Sequence, residues 1–309
     1  MALLFLAKVD DEAGWLAAFR AALPEEEIRA FPAVGDPAEI DCALVAQPPA
    51  GELAKLPNLR LICSLWAGVD GLLRDPSFPR RVPLARLVDP YMTQAMSESA
   101  LAHVLGAHRQ LDAYRRQQAE GVWRMLPQPR AHERRVGILG MGALGGDAAR
   151  KLKALGFDVA GWSRRPHQLP DIPNYAGRER LYEFLARSQI VVCLLPLTDD
   201  TRGILDARAF AALPPGATVI NLARGAHVVE RDLLAALDGG RLGAAVLDTF
   251  ETEPLPSGHP YWRHPRVQVT PHIAAISDRR SVVPVIAENI RRFRAGQPVR
   301  DLVDLGAGY

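Results

Sequence analysis

One stretch of the sequence, an apolar run that leads directly into a glycine-rich motif, reads Val136-Gly137-Ile138-Leu139-Gly140-Met141-Gly142-Ala143-Leu144-Gly145. The pattern G-x-G-x-x-G between a predicted strand and a predicted helix is typical of a dinucleotide site. Gly140 permits the tight turn, Gly142 lets the backbone approach a pyrophosphate, and Gly145 lets the helix pack closely on the strand. The unpaired N–H groups at the helix start, including those of Ala143 and Leu144, point at the anion. The alternative is a glycine-rich turn without a ligand, but the strand–turn–helix setting favours the nucleotide site.

Outward from this motif, apolar runs of strand length alternate with amphipathic stretches, the pattern of βαβ units and parallel sheets. Strands are predicted at 3–7, 43–46, 59–65, 84–88, 135–140, 158–163, 190–195, 218–223, 244–250 and 268–270. Helices are predicted at 12–23, 93–120, 143–155, 181–187, 230–237 and 281–294. We therefore predict an α/β protein in which a doubly wound cofactor domain, residues 100–280, is inserted into a smaller substrate domain formed by residues 1–99 and 281–309.

Composition excludes several classes of protein. With 48% hydrophobic and 23% charged residues among 309, the chain is not disordered and can bury a core. Its 37 basic and 35 acidic side chains nearly balance, so we expect no nucleic-acid partner. No apolar run approaches the roughly 20 residues that span a bilayer, and we expect no membrane association and no signal peptide.

The cysteines indicate the compartment. There are three, Cys42, Cys63 and Cys193, each alone in an apolar stretch and without metal-ligand spacing. Free buried thiols in the reducing cytoplasm are the simplest interpretation, and no metal site is predicted.

The choice between NAD and NADP should be made at the end of the strand after the glycine motif. That strand ends in Ser163-Arg164-Arg165 rather than in an acidic residue. A hydroxyl and guanidinium donors suit the 2′-phosphate of NADP, whereas a carboxylate would repel it. Arginine supplies 33 of the 37 basic residues here, which weakens the argument from any one of them. We predict that NADP(H) is preferred, with NAD(H) possible, and that Arg164 is the better phosphate ligand.

Three loops that follow predicted strands carry the residues for a reaction. They contain Arg224 in Asn221–Gly225, Glu253 in Leu247–Pro256, and His272 in Thr270–Ala275. Histidine is suited to donate a proton to a carbonyl oxygen near neutral pH, and an adjacent carboxylate would orient its ring. Arginine can bind a substrate carboxylate and polarise the carbonyl. Each alone could be an ordinary surface or turn residue, but all three after strands indicate hydride transfer to a 2-oxo acid.

Together these motifs resemble the D-isomer-specific 2-hydroxyacid dehydrogenase family over essentially the whole chain, and within it the A-type glyoxylate/hydroxypyruvate reductases. The closer likeness lies in 161–164, 221–228, 262–267, 270–275 and the terminal Gly308-Tyr309. The resemblance implies a Rossmann cofactor domain inserted into a flavodoxin-like α/β domain. It also implies that Arg224, Glu253 and His272 form the catalytic triad.

The resemblance implies further roles that the residues alone would not. Trp66, Ala67, Gly68 and Val69 match the family's substrate-carboxylate loop, although Trp66 departs from many relatives and is also compatible with a core aromatic. The positions that match the family's cofactor site are Leu195, Pro196, Thr201, Ala223 and Asp248. The family is commonly dimeric through the cofactor domain, so a homodimer is expected by analogy.

We therefore predict a cytoplasmic enzyme that reduces glyoxylate to glycolate and hydroxypyruvate to glycerate with NADPH. One alternative is a reductase of a different 2-oxo acid, such as pyruvate or an aryl-pyruvate. The other is a non-catalytic binding module that senses a dinucleotide. This alternative is disfavoured because the chain contains Arg224, Glu253 and His272.

Overall fold

The computed structural model describes all 309 residues, which form two compact units. Unit 1 comprises residues 1–92 and 277–309, and unit 2 comprises residues 93–276. The boundaries expected from sequence lie slightly later along the chain, at 99/100 and 280/281. The first of them shifts because Met96, Ala100 and Val104 are buried in the hydrophobic core of unit 2.

The strands and helices are numbered in chain order. The strands are β1 (Ala2–Ala7), β2 (Ile28–Ala30), β3 (Ile40–Ala46), β4 (Leu61–Ser64), β5 (Leu84–Ala85), β6 (Arg135–Leu139), β7 (Asp158–Ser163), β8 (Asn174–Ala176), β9 (Ile190–Cys193), β10 (Ala217–Asn221), β11 (Leu242–Leu247) and β12 (Val267–Val269). The helices are α1 (Glu12–Ala22), α2 (Asp70–Leu73), α3 (Pro90–His108), α4 (Leu111–Ala119), α5 (Ala143–Ala154), α6 (Leu181–Arg187), α7 (Ala207–Ala212), α8 (Glu230–Asp238) and α9 (Arg279–Arg294).

Unit 1 contains a five-stranded parallel sheet with the order β2-β1-β3-β4-β5. This is the order of flavodoxin-like doubly wound sheets. The central strands β1 and β3 are almost entirely apolar and buried, as expected for parallel strands covered on both faces. Asp41 is the exception in β3, and its buried carboxylate pairs with Arg294 at the end of α9.

Unit 2 contains a seven-stranded parallel sheet with the order β12-β11-β10-β9-β6-β7-β8. Counted from β6, its first six strands lie in the order 3-2-1-4-5-6, the arrangement of the Rossmann fold. The direction of strand addition reverses between β6 and β9, and ligands of such sheets bind at this point, outside the carboxyl ends of the strands. The predicted fold class is therefore confirmed for both units.

The long helix predicted over Thr93–Glu120 is wrong in one respect, because the structure divides it into α3 and α4. Gln110, between the two helices, has a φ of 57° in the left-handed region, which ends the first helix and redirects the chain. The segment contains no proline or glycine at this point, so its helical spacing gave no signal of the break. No helix in the structure combines the length and apolar character needed to cross a membrane.

Four elements of the structure are absent from the sequence-based assignment. They are the short strands β2 and β8 and the short helices α2 and α7. Both strands are three residues long, lie at a sheet edge and are only partly buried, so they lack the continuous apolar run of a central strand. Helices α2 and α7 have only four and six residues, too few to show a helical period.

Candidate active site

The carboxyl ends of five neighbouring strands in unit 2 carry the predicted site residues. The glycine motif follows β6, Leu195 and Pro196 follow β9, Arg224 follows β10, Asp248 follows β11, and His272 follows β12. Because all of these strands are parallel, their carboxyl ends lie at one edge of the sheet. The structure therefore brings the predicted cofactor and catalytic residues of this unit to the same edge.

The glycine motif has the geometry that a pyrophosphate requires. A Cβ atom on Gly145 would lie 1.8 Å from the carbonyl oxygen of Gly140, so only glycine allows the helix to approach the turn this closely. Gly140 itself has a φ of 100°, a conformation that L side chains rarely adopt. A Cβ atom on Gly142, in contrast, would meet nothing within 4 Å and would project into open space at the start of α5. This is the space that a phosphate needs beside the helix N-terminus, so these residues fit a dinucleotide.

The loop after β7 holds the predicted 2′-phosphate ligands. Arg164 and Arg165 are exposed, whereas Ser163 is buried. The Ser163 hydroxyl lies 2.6 Å from the carbonyl oxygen of Arg165 and 3.0 Å from Oδ1 of Asn174. The same Oδ1 accepts a hydrogen bond from the N–H of His167 at 3.1 Å. Ser163 therefore shapes the loop that carries the two arginines.

His272 and Glu253 form a hydrogen-bonded pair. Nδ1 of His272 lies 2.8 Å from Oε2 of Glu253, and Oε1 of Glu253 accepts a hydrogen bond from the N–H of Phe250 at 2.9 Å. Burial raises the pKa of Glu253, but the hydrogen bonds from His272 and Phe250 and the nearby charge of Arg224 outweigh this effect and leave it below its usual value. The carboxylate therefore remains ionised, and it orients the imidazole so that Nε2 is directed away from the pair.

The backbone at His272 adopts an uncommon conformation, with a φ of 54°. Left-handed backbone in a residue other than glycine persists only where surrounding contacts hold it. Here Asp248, which is 1% exposed, holds it: its carbonyl oxygen accepts the N–H of His272 at 2.8 Å. Its carboxylate accepts the N–H groups of Ile273 and Ala274, each at 2.9 Å, and the hydroxyl of Thr270 at 2.6 Å. The structure thus gives Asp248 a role in holding the histidine loop.

Arg224 is likewise held by groups that the sequence-based prediction did not assign to the site. Asn221, fully buried at the end of β10, donates its amide N–H to the carbonyl oxygen of Arg224 at 2.8 Å. Gly225 packs against the segment that leads to Glu253, and a Cβ atom there would lie only 2.0 Å from the carbonyl carbon of Phe250. The turn that carries the arginine and the loop that carries the glutamate are therefore in direct contact.

Asn221, His227 and Thr270 are the polar residues around this site whose supporting roles the sequence analysis missed. Asn221 ends β10, Thr270 directly follows β12, and His227 lies six residues after β10; each is a polar side chain next to apolar residues. Such a residue must be hydrogen-bonded when buried, so its position alone indicated a partner in the adjoining loops.

The remaining predicted cofactor residues lie beside this edge. Leu195 and Ala223 are buried in the core beneath it. Thr201 donates its hydroxyl to the carbonyl oxygen of Pro196 at 2.7 Å and thereby closes the loop after β9. Their contact with a nucleotide stays a prediction.

The predicted substrate loop lies in unit 1, after β4. Ser64 fixes its start, because the Ser64 hydroxyl contacts both the N–H of Trp66 at 3.1 Å and the carbonyl oxygen of Trp66 at 2.9 Å. Trp66 is half-buried, so it is not a fully enclosed core residue, whereas Val69 is anchored in the core of unit 1. The N–H groups of Ala67 and Gly68 donate to no group within the chain. They are therefore available to an anion.

Comparisons with known proteins identify the family. Residues 101–274 match the family model described as the NAD binding domain of D-isomer specific 2-hydroxyacid dehydrogenase. The chain is 46% identical over 300 residues to glyoxylate/hydroxypyruvate reductase A of Serratia proteamaculans, covering 96% of each chain. It is 43% identical over 301 residues to the protein of the same name from Yersinia enterocolitica, again with 96% of each chain covered.

Solved structures give the same result. A D-isomer specific 2-hydroxyacid dehydrogenase from Xanthobacter autotrophicus, in complex with NADPH and MES, is 46% identical with a TM-score of 0.95, covering 100% of this chain and 99% of that one. An NADPH-dependent glyoxylate/hydroxypyruvate reductase from Sinorhizobium meliloti, in complex with NADP and sulfate, is 40% identical with a TM-score of 0.92 over 100% of both chains. The chain therefore belongs to the D-isomer specific 2-hydroxyacid dehydrogenase family.

Proposed function

We propose that the protein is an NADPH-dependent reductase of small 2-oxo acids that converts glyoxylate to glycolate and hydroxypyruvate to glycerate. The observation that carries this proposal is the His272–Glu253 pair on the sheet edge that also carries Arg224 and the glycine motif. The relatives named glyoxylate/hydroxypyruvate reductase, which match nearly the full chain, favour these substrates over pyruvate or aryl-pyruvates.

In the proposed mechanism each residue has a defined task. When bound, the nicotinamide nucleotide supplies the hydride that reduces the carbonyl carbon. Arg224 binds the substrate carboxylate and polarises the carbonyl through its fixed guanidinium donors. His272 donates a proton from Nε2 to the carbonyl oxygen as negative charge builds there. Glu253 accepts the hydrogen bond from Nδ1 and stabilises the charged imidazole before the transfer.

The test is a comparison of substrates and cofactors in one assay. The oxidation of NADPH, followed by the absorbance of reduced nicotinamide, is measured with glyoxylate, hydroxypyruvate, pyruvate and an aryl-pyruvate, and then repeated with NADH. We expect the highest kcat/KM with glyoxylate or hydroxypyruvate and NADPH. Preference for a bulkier 2-oxo acid would replace the substrate assignment. Nucleotide binding without turnover of any 2-oxo acid would instead favour the binding module.

The exposed arginines after β7 are the proposed ligands of the NADPH 2′-phosphate, and replacement of Arg164 tests this role. Replacing Arg164 by Ala removes a charged donor for the 2′-phosphate, and such hydrogen bonds contribute enough that we expect the preference for NADPH over NADH to fall by about tenfold or more. The measurement is kcat/KM for each nucleotide at saturating glyoxylate. Arg231→Ala, on an exposed arginine of α8, is the matched control. An unchanged ratio in Arg164→Ala would remove this residue from the phosphate site.

We further propose that the loop Trp66–Val69 contributes to binding of the substrate carboxylate. Its support is the pair of available N–H groups on Ala67 and Gly68, since backbone donors in a tight turn are suited to an anion. The half-buried ring of Trp66 would then restrict the size of the acid.

The proposed assembly is a homodimer formed through unit 2. Exposed apolar side chains concentrate on α3, α4 and the segment after α4, where Trp123 is 99% exposed and Met125 is 89% exposed. Leu105, Leu111 and Val122 in the same part of the chain are also exposed. Large apolar groups in such numbers are typical of a surface that another protein covers. A second copy of the chain is the occupant that the family resemblance favours.

Replacing Trp123 by Glu should convert this dimer to a monomer. A charge at the centre of an apolar interface must be desolvated without a partner, so we expect the dissociation constant to rise by about a hundredfold or more. Sedimentation velocity over a concentration series measures it. Leu302→Glu, at an exposed leucine of unit 1, is the control and should leave the dimer intact. A wild-type chain that sediments as a monomer throughout would contradict the assembly.

We propose a cytoplasmic location because the cysteines are unpaired. All three are free and buried. Burial raises the pKa of the Cys193 thiol to about 12, so this thiol stays protonated and unreactive. Unpaired thiols of this kind are typical of a reducing compartment.

A further inference from the structure

His227 is a fully buried histidine that has no part in the mechanism described above. It ends the short helical turn Gly225–His227, immediately after Arg224, and none of its surface is exposed. Its Nδ1 lies 3.2 Å from the backbone nitrogen of Arg224, and its Nε2 lies 3.3 Å from the carbonyl oxygen of Pro196. The imidazole therefore spans two loops, one after β10 and one after β9.

The chemistry of these contacts selects one tautomer. Nδ1 also lies 3.1 Å from the carbonyl oxygen of Arg224, but that oxygen already accepts the amide N–H of Asn221 and the backbone N–H of His227. We therefore assign Nδ1 as the acceptor of the Arg224 N–H, and a neutral imidazole then carries its hydrogen on Nε2. That hydrogen is directed at the carbonyl oxygen of Pro196, which can only accept. With the hydrogen on Nδ1 instead, Nε2 would present a lone pair to the Pro196 oxygen and the Arg224 N–H would lose its acceptor. Neutral His227 with the hydrogen on Nε2 satisfies both contacts.

The contact at Pro196 continues into the loop after β9. The Pro196 carbonyl oxygen also accepts the hydroxyl of Thr201 at 2.7 Å, and the same hydroxyl oxygen accepts the N–H of Thr198 at 2.8 Å. A continuous set of hydrogen bonds therefore joins the backbone of Arg224, through the ring of His227, to the loop 195–201. That loop follows the strand next to β6, at the reversal of strand order where such sheets bind nucleotides.

We propose that His227 is a positioning residue that holds the backbone of Arg224 through Nδ1 and the loop 195–201 through Nε2, so that one side chain contributes separately to substrate binding and to nucleotide binding. Nδ1 orients Arg224 toward the substrate carboxylate, and Nε2 stabilises the loop beside the nucleotide. The proposal rests on the proposed reductase function, because it assigns the substrate to Arg224.

Three substitutions separate the two contacts. His227→Asn places an amide oxygen close to the position of Nδ1 but cannot reach Pro196. His227→Gln extends an amide nitrogen toward Pro196 but does not reproduce the Nδ1 acceptor. His227→Leu retains much of the volume and removes both contacts. The backbone should tolerate all three, since the N–H of Leu205 bonds to the carbonyl oxygen of residue 227 at 2.9 Å and that of Val229 bonds to Leu205 at 3.0 Å.

The expected results differ between the variants. A lost hydrogen bond at a buried site changes affinity by about tenfold. We therefore expect the KM for glyoxylate to rise about tenfold in His227→Leu and in His227→Gln but to stay near the wild-type value in His227→Asn. The dissociation constant of NADPH, measured by nucleotide fluorescence without turnover, should rise several-fold in the Leu and Asn variants and be restored in the Gln variant.

His264→Asn is the matched control. Its Nδ1 also accepts a backbone N–H, that of Arg266 at 3.1 Å, and its Nε2 contacts Asp238 at 3.2 Å, but it precedes β12 and so lies at the opposite edge of the sheet from Arg224. Equal changes in both constants in every His227 variant, or no change in any, would overturn the proposal. If the Leu variant does not fold, the opposite patterns of the Asn and Gln variants still decide it. A wild-type protein that binds NADPH but reduces no 2-oxo acid would contradict the proposed function, and the NADPH titrations would still test the link to Pro196.

Discussion

Replacing His272 by Ala should lower kcat for glyoxylate by between about a hundredfold and ten-thousandfold, the contribution of a well-placed general acid. In the structure this histidine has a single hydrogen-bond partner on its ring, Glu253 at 2.8 Å, and its side chain is 47% exposed. Nε2 can therefore reach a substrate, whereas His227, which follows β10 at the same edge, is fully buried. Without this proton donor, the negative charge on the carbonyl oxygen would have to be neutralised by water.

Two measurements make this result specific for proton donation. The dissociation constant of NADPH should stay within a few-fold of the wild-type value, since the glycine motif is untouched. His132→Ala, at an exposed histidine before β6, should retain full turnover. Full turnover in His272→Ala would exclude it as the acid and would leave the pair with Glu253 as a structural contact.

Replacing Arg224 by Ala should affect binding and chemistry together. The guanidinium has two proposed tasks, to hold the carboxylate and to stabilise charge on the carbonyl oxygen. Removing one donor of the second kind costs about a hundredfold to a thousandfold in kcat. The lost charge-assisted contact with the carboxylate should add a rise in the KM for glyoxylate of about tenfold or more. Steady-state kinetics at saturating NADPH measures both constants.

Arg224→Lys sharpens this prediction because it keeps the charge and loses the planar pair of donors. We expect it to recover part of the affinity for glyoxylate but little of kcat, since an ammonium cannot bridge the carboxylate and the carbonyl in the same geometry. Arg208→Ala, at an exposed arginine of α7 that stacks on Tyr182, is the control. An Arg224→Ala protein with wild-type kinetics would remove the residue from the site.

The sequence determined the alternation of strands and helices and the place of the chemistry, because both depend on local patterns. Val191 and Val192 lie in a continuous apolar run, which is typical of a parallel strand that is covered on both faces. In the structure this run forms β9. The spacing of Gly140, Gly142 and Gly145 matches one tight turn followed directly by the start of one helix. Arg224 and His272 follow strands directly, and parallel strands bring their carboxyl ends to one edge.

Elements that lacked such a pattern were not predicted. The break at Gln110 has no proline or glycine to mark it, and edge strand β8 has no continuous apolar run. In both cases contacts with the rest of unit 2 outweigh weak local preferences, which is why helical spacing alone predicted a single long helix.

The supporting contacts of the site were decided by the tertiary structure alone. The sequence placed Asp248 after a strand, but only the fold shows its carboxylate accepting the N–H groups of Ile273 and Ala274 and so stabilising the left-handed backbone of His272. His227 and Pro196 are 31 residues apart, and the contact between them exists because β9 and β10 are neighbours in the sheet. Local sequence patterns indicate the secondary structure of a segment, whereas a hydrogen bond between buried polar groups depends on which loops the sheet brings together.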